Sequence, residues 1–289
     1  MHEINNLSEI LPILTYYQKS LDYSGMELHF HNYHELILIR EGLINFKIEG
    51  VDYVAGADSL VVMRAMEQHK ASVKKFPYGR YVFTITNQLA LMAIREPQLL
   101  SLLVRQPADK NHVIPLRREF AVKLAGFFER IITECKEKKP LWSSSAVVLI
   151  TEALIELYRE DPRLFSQSND IGVMRTIINI QNYIAEHYHE KIVLDDLADR
   201  YFISKYYLSR KFKEITGYGF KNYLILYRIH EAQKLLQYTN KPVSEISSEM
   251  GYENADHFIR IFHGTQGISP LQYRKTHPPQ WEEGQPHGD

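Results

Sequence analysis

Apolar and aromatic positions come in short bursts along the first hundred residues. Segments 29–39, 43–48, 59–63 and 81–86 are rich in β-branched or aromatic side chains, and Gly42, Glu49-Gly50, Gly56 and Pro77 punctuate them. Short runs separated by turn residues predict strands, and several together predict a small antiparallel barrel or sandwich. From Gln88 onward the period lengthens. Phe120, Leu124, Phe127, Phe128, Ile131 and Ile132 recur at three- and four-residue spacing, which predicts a helix over 117–138 ended by Pro140. Val147, Leu149, Ile150, Leu154 and Leu157 mark a second helix over 143–160. Such helices can cover the open face of a β domain or pair with another chain. Segment 161–170 is polar and turn-rich and reads as a linker, and 278–289, with its prolines and glycines, reads as a disordered tail.

Composition bounds the class. A length of 289 residues suggests two domains. With 45% hydrophobic and 24% charged residues, collagen-like, disordered and disulfide-scaffold chains are excluded. The single cysteine, Cys135, permits no intrachain disulfide and suits a reducing compartment. It lies among Glu134, Lys136 and Glu137 and reads as an ordinary helix residue. The N-terminus lacks the basic and apolar regions of a signal peptide, and no apolar run has a membrane-spanning length, so the expected location is the cytoplasm, with no membrane partner.

A net charge of −1 argues against nucleic acid, but its distribution does not. Residues 1–170 carry 20 basic and 21 acidic side chains, residues 171–277 carry 14 and 11, and the tail carries three acids alone. Within 204–213, Lys205, Arg210, Lys211 and Lys213 occur without an acid. A short basic run is usually a solvated helix face, so the pattern around it has to decide.

That pattern is a weak internal repeat at an offset of 50. Ser204 aligns with Asn254, Leu208 with Phe258, Arg210 with Arg260, Phe212 with Phe262, Gly217 with Gly267 and Tyr223 with Tyr273. Each copy reads as helix, tight turn, helix. Ser204 and Asn254 suit the N-cap of the second helix, and Gly217 and Gly267 suit its left-handed end. The short first helices are 195–201 and 244–250. In a helix-turn-helix the second helix turns its polar face to the major groove. That face holds Lys205, Tyr206, Ser209, Arg210 and Lys213 in the first copy, and Ala255, Asp256, His257, Ile259 and Arg260 in the second, with Asn254 at its start. Between the copies, 219–238 reads as one helix of about 30 Å, close to the ~34–36 Å between successive major-groove faces. One monomer could therefore carry both recognition helices along one side of a duplex, on a non-palindromic site.

Stretch 176–275 resembles the DNA-binding domain of the AraC/XylS family of transcription regulators. The matching residues are Leu194, Leu197 and Ala198, then Ser204, Tyr207, Leu208, Ser209, Arg210, Phe212 and Lys213, and then Gly217, Phe220, Tyr223 and Leu224. Arg228, Ala232, Leu235 and Leu236 follow, then Met250-Gly251-Tyr252, His257, Phe258, Arg260, Phe262, and Gly267, Ser269, Pro270, Tyr273 and Arg274. The resemblance implies paired helix-turn-helix units, promoter binding, contact with RNA polymerase and, most often, activation. By family position, Tyr206, Ser209 and Arg210 face the first groove and Asp256, His257 and Arg260 the second. Ser247 stands where the family usually has alanine and His263 where it usually has lysine. Asp256 can accept from cytosine N4 but repels phosphate, which makes the first unit the expected source of affinity.

The N-terminal half carries a second cluster. His29, His31 and Glu35, followed by His69, resemble the first metal-binding motif of cupins, with His69 in the place of the second-motif histidine; segment 54–58 lacks the proline that usually opens that second motif. If 29–39 is one strand, His29, His31 and Glu35 share parity and could converge with His69 inside a barrel. Three readings stay open: an effector site without catalysis, as the regulator resemblance implies; a Fe(II), Mn(II) or Zn(II) site; or histidines satisfied by backbone. The expected effector residues are His29, His31, His34, Glu35, His69, Tyr81 and Phe83, around something small and polar such as a sugar or acid. The reading adopted is an α+β two-domain regulator and not an enzyme, without a resident metal or other cofactor. Residues 1–165 form a cupin-like effector-binding and dimerisation domain with flanking helices. Residues 171–277 form an all-α DNA-binding domain with two helix-turn-helix units, and the whole is expected to be a homodimer. The alternative is a metal-dependent cupin enzyme fused to a DNA-binding module, with His29, His31, Glu35 and His69 as ligands.

Overall fold

The computed structural model of the chain describes residues 15–23, 25–104, 112–165 and 171–277. The expected tail, 278–289, lies outside them, as does 166–170 of the expected linker. The chain divides into two compact units, Met1–Asn182 with Tyr206–Tyr218, and Tyr183–Lys205 with Gly219–Asp289.

Among the described residues the first unit is built on seven antiparallel strands: β1 (Thr15–Ser20), β2 (Met26–His29), β3 (Tyr33–Ile48), β4 (Val51–Gly56), β5 (Ser59–Met63), β6 (His69–Thr86) and β7 (Val113–Pro115). Two long strands organise it. β3 and β6 pair from Tyr33↔Thr86 to Ile48↔His69, with register shifts around Glu41 and Leu43. Gly42 sits at that break with φ +86°, and a Cβ there would meet the Lys75 carbonyl at 2.5 Å, so only glycine fits. On one side of the break β3 and β6 pair with β5 and β1, with β7 beyond β5; on the other side they pair with β4 and β2. The result is two leaves joined by the same two strands. Between the leaves lies a core of Ile37, Ile39, Val61, Met63 and Val82 against Ile44, Phe46, Ile48, Ala55 and Ala71.

Two short helices, α1 (Asn87–Ala93) and α2 (Pro97–Leu100), precede β7, and the long helices α3 (Arg118–Glu137) and α4 (Trp142–Glu160) follow it. The stripe read from sequence is the buried one: Leu124, Phe128 and Ile131 of α3 meet Ile150, Leu154 and Leu157 of α4 over Leu36, Leu60 and Phe83 of the sheet. α3 stops at Glu137, with Lys138 in the left-handed conformation at its C-cap, two residues before Pro140.

The remaining helices are α5 (Ile171–His187), α6 (Leu194–Arg200), α7 (Lys205–Thr216), α8 (Phe220–Tyr238), α9 (Val243–Glu249), α10 (Ala255–Gln266) and α11 (Pro270–Thr276). In the second unit α8 packs with α9, α10 and α11. Two arginines tie it together. Arg228 donates to the carbonyls of Tyr188 (2.7 Å), Glu190 (2.8 Å) and Gly251 (3.3 Å), and Arg274 donates to those of Leu236 (3.2 Å) and Lys241 (2.6 Å). Both are among the residues that carry the family resemblance, and their work is to satisfy backbone carbonyls at helix ends. Among the described residues no helix is long and apolar enough to cross a membrane.

Candidate functional site

Each of the two repeated helices has one apolar and one polar side. In α7, Leu208 and Phe212 are fully buried, while Tyr206 is 89% exposed and Ser209, Arg210 and Lys213 are exposed beside it. Positions 206, 209, 210 and 213 follow the i, i+3, i+4, i+7 spacing that puts side chains on one face. Lys211, part of the basic run, is buried with the apolar side, with its ammonium on Glu214 at 3.1 Å. Lys205 pairs with Asp195 of α6 at 2.8 Å. The guanidinium of Arg210 lies 5.6 Å from the Tyr207 ring.

α10 repeats the plan with a weaker charge. Phe258 and Phe262 are fully buried, and Asp256, His257 and Arg260 are exposed. Asn254 caps the helix, its side-chain oxygen accepting from the Asp256 amide at 2.7 Å. Gly217 and Gly267, with φ +84° and +75°, close the two helices in the left-handed conformation.

The histidine cluster lies at the other end of the chain. The strand expected over 29–39 is broken: His29 ends β2, His31 sits in the connection, and β3 starts at Tyr33. Shared strand parity therefore does not bring the residues together; the pairing of β2 with β6 does, placing His29 opposite His69. The ligand atoms of His29, His31 and His69 lie within 4.8 Å of one another. His31 donates from Nδ1 to the Tyr33 carbonyl at 2.8 Å, and His69 from Nδ1 to the Glu67 carbonyl at 2.9 Å. Those bonds fix the tautomer and leave each Nε2 lone pair buried without a hydrogen-bond partner, as is Oε2 of Glu35, 3.6 Å from Nε2 of His31. Burial alone would raise the Glu35 carboxyl, but His31, His69 and His29 hold it down, to about 2. Burial, helped by His31 and His29, pushes His69 down to about 3 and keeps it neutral. Imidazoles anchored through Nδ1 beside a carboxylate fit the donor set of a divalent transition metal.

The other expected effector residues lie elsewhere. His34 accepts from the Ala65 amide through Nδ1 (3.1 Å) and donates from Nε2 to Asn87 (2.9 Å), while burial lowers its pKa to about 4. It is a framework residue with both nitrogens occupied. Tyr81 and Phe83 point out of the leaf pair: Tyr81 donates to Glu129 of α3, and Phe83 stacks on Phe128. The side chains of β6 that face inward are Tyr78, Arg80 and Val82, one residue out of phase. With Tyr16, Met26, Glu35 and Phe46 they line a cavity with about 270 Å³ of unfilled space, part of it open to solvent. The sequence analysis misses Tyr78 and Arg80 by starting this strand at 81 instead of 69, and Tyr16 and Tyr23 because it places no strand before 29.

The AraC-like ligand binding domain matches residues 11–145, and a helix-turn-helix domain matches residues 197–276. The chain belongs to the AraC-type family of transcription regulators, with a ligand-binding domain ahead of a helix-turn-helix domain. It is 28% identical over 254 residues to the uncharacterized HTH-type transcriptional regulator YdiP of Escherichia coli, covering 87% of this chain and 81% of YdiP. Over 157 residues, 54% of this chain and 74% of the relative, it is 31% identical to the bifunctional transcriptional activator/DNA repair enzyme AdaA of Bacillus subtilis. The structure of ToxT from Vibrio cholerae superposes with TM-score 0.57 at 12% identity, covering 92% of this chain and 98% of ToxT, which supports the two-domain fold.

Proposed function

We propose that this regulator reads promoter DNA through the exposed faces of α7 and α10, that the inside of the leaf pair receives its effector, and that it works in the cytoplasm as a homodimer contacting RNA polymerase. Residues 1–165 would sense and dimerise, and 171–277 would bind DNA. The observation that carries the reading is the repeated division of α7 and α10 into a buried aromatic or aliphatic side and an exposed side holding Arg210 or Arg260. Tyr206, Ser209, Arg210 and Lys213 supply both cation and hydroxyl donors to the first groove. Asp256, His257 and Arg260 supply a mixed face to the second, with less attraction for phosphate. Lys205 and Asn254 are already engaged with Asp195 and with the α10 amide, so they position the helices as much as they reach for DNA. Effector binding would shift the population between arrangements of the domains. Selection of bound duplexes from random DNA by the full chain, at 150 mM salt, tests this. A non-palindromic site of two blocks about one helical turn apart supports it, and no enrichment overturns it.

A second reading, a metal-dependent enzyme joined to a DNA-binding module, is favoured by the buried, tautomer-fixed His31 and His69 beside His29 and Glu35. Titration with Co(II) tests the metal step. Visible bands at one equivalent that disappear in His69→Ala support a metal at this cluster, and their absence removes the reading.

A further inference from the structure

The leaf-pair cavity holds a buried arginine, Arg80, that has no carboxylate partner among the described residues. Arg80 is 5% exposed, and none of the described carboxylates lies within ion-pair distance of its guanidinium. An arginine stays protonated in proteins, and a buried charge without a counter-ion is expensive to keep. What surrounds it is aromatic: its Cζ lies 4.5 Å from the Tyr23 ring centroid and 5.1 Å from that of Tyr78, and the two rings stack with centroids 6.0 Å apart. Nε of Arg80 and the hydroxyls of Tyr23 and Tyr78 are all buried without a hydrogen-bond partner. Tyr78 is itself 1% exposed. A buried guanidinium whose neighbours are tyrosines and no carboxylate suits a ligand rich in acceptors, because buried donors in native proteins are almost always satisfied.

We propose that the cavity between the leaves binds a small monocarboxylic acid, with its carboxylate held by Arg80 and the hydroxyls of Tyr78 and Tyr23. The reading rests on the leaf interior being the effector site and adds the chemical class of the effector. A guanidinium fork matches the two oxygens of a carboxylate. The opposite wall selects against a second negative charge, since the Glu35 side chain lines the same cavity. A dicarboxylate or a phosphate would meet Glu35, whereas a hydroxyl or amine next to the carboxylate could donate to it. The lining of Met26, Ile37, Ile44, Phe46 and Val82 takes the carbon skeleton.

The experiment uses the full chain and three of its variants, Arg80→Met, Arg80→Lys and Tyr78→Phe. Melting temperature and calorimetric binding are measured with acetate, lactate, succinate, inorganic phosphate and xylose at constant ionic strength. The expected result is that acetate or lactate raises the melting temperature of the wild-type chain by several degrees, while succinate and phosphate do not. Arg80→Met abolishes the shift, and Arg80→Lys and Tyr78→Phe weaken binding at least tenfold. Without ligand, Arg80→Met melts at or above the wild-type temperature, because it removes a charge the empty cavity does not need. A large fall in the ligand-free melting temperature of Arg80→Met, or wild-type shifts with succinate and phosphate equal to those with acetate and lactate, overturns the proposal. So does the lack of any shift with acetate and lactate. A shift with xylose alone removes the carboxylate and leaves the effector site standing. Failure of the effector site itself is read separately, as operator affinity unchanged by every probe.

Discussion

Arg210→Ala separates what α7 does for DNA from what it does for the fold. The side chain is exposed, and its guanidinium lies over the Tyr207 ring at 5.6 Å. A cation–π contact at an exposed site is worth about 0.5–1 kcal/mol, so the variant should lose no more folding stability than that. A bidentate contact to a base is worth about 1–3 kcal/mol, which is roughly a 5- to 150-fold rise in Kd. If Arg210 touches phosphate instead, affinity falls equally for operator and scrambled duplex, and the salt slope drops by about 1. Phe212→Ala, one residue pair along the same helix, is the contrast: a fully buried ring costs about 3–5 kcal/mol in folding, and DNA binding is lost only through unfolding. The assay is fluorescence anisotropy of operator and scrambled duplex at 50, 100 and 200 mM salt, with thermal melts of each variant. The reasoning is refuted if Arg210→Ala and Arg260→Ala both bind operator within twofold of wild type with an unchanged salt slope.

Two glycines with the same φ of +75° should respond unequally to alanine. Gly267→Ala meets nothing within 4 Å and pays only the left-handed strain of about 1–2 kcal/mol. In Gly251→Ala the new methyl would sit 2.3 Å from the His189 carbonyl oxygen, so a melt should show a clearly larger loss; equal losses would contradict the packing. His34→Ala should cost about 2–4 kcal/mol of stability through the orphaned Ala65 amide and the lost volume, while leaving the Kd of any bound acid near wild type. A large change in that Kd would return His34 to the effector site. Burial, with Glu134 beside it, pushes the Cys135 thiol up to about 11. At pH 8 iodoacetamide should therefore label the folded chain about 100-fold more slowly than the urea-unfolded chain, and equal rates would refute the burial.

The helical half was legible because each helix has one wet side. The stripe from Phe120 to Ile131 could be buried in only one way, and the helix read over 117–138 runs from Arg118 to Glu137. The paired glycines at 217 and 267 fixed the ends of the two repeated helices, since both needed a left-handed residue. The β half was legible in its turns but not in its phase. β6 carries Lys70, Lys74, Lys75 and Pro77 among its first residues, a polar stretch without an apolar run, so only its last third reads as strand. Its residues 78–85 are buried on both faces, inward against the opposite leaf and outward against α3 and α4. A strand covered on both sides shows no alternation of apolar and polar residues, and a shift of one residue exchanges its two faces. Tyr81 and Phe83 were as plausible as Tyr78 and Val82 for that reason. Arg80 was the residue that could have set the phase. The outer face holds the Leu36, Leu60 and Phe128 surface with Glu129 of α3 at Tyr81, whereas the inner face offers the rings of Tyr23 and Tyr78. A charge inside a hydrophobic run is costly on either face, and on the inner face two aromatic rings at 4.5 and 5.1 Å offset part of that cost.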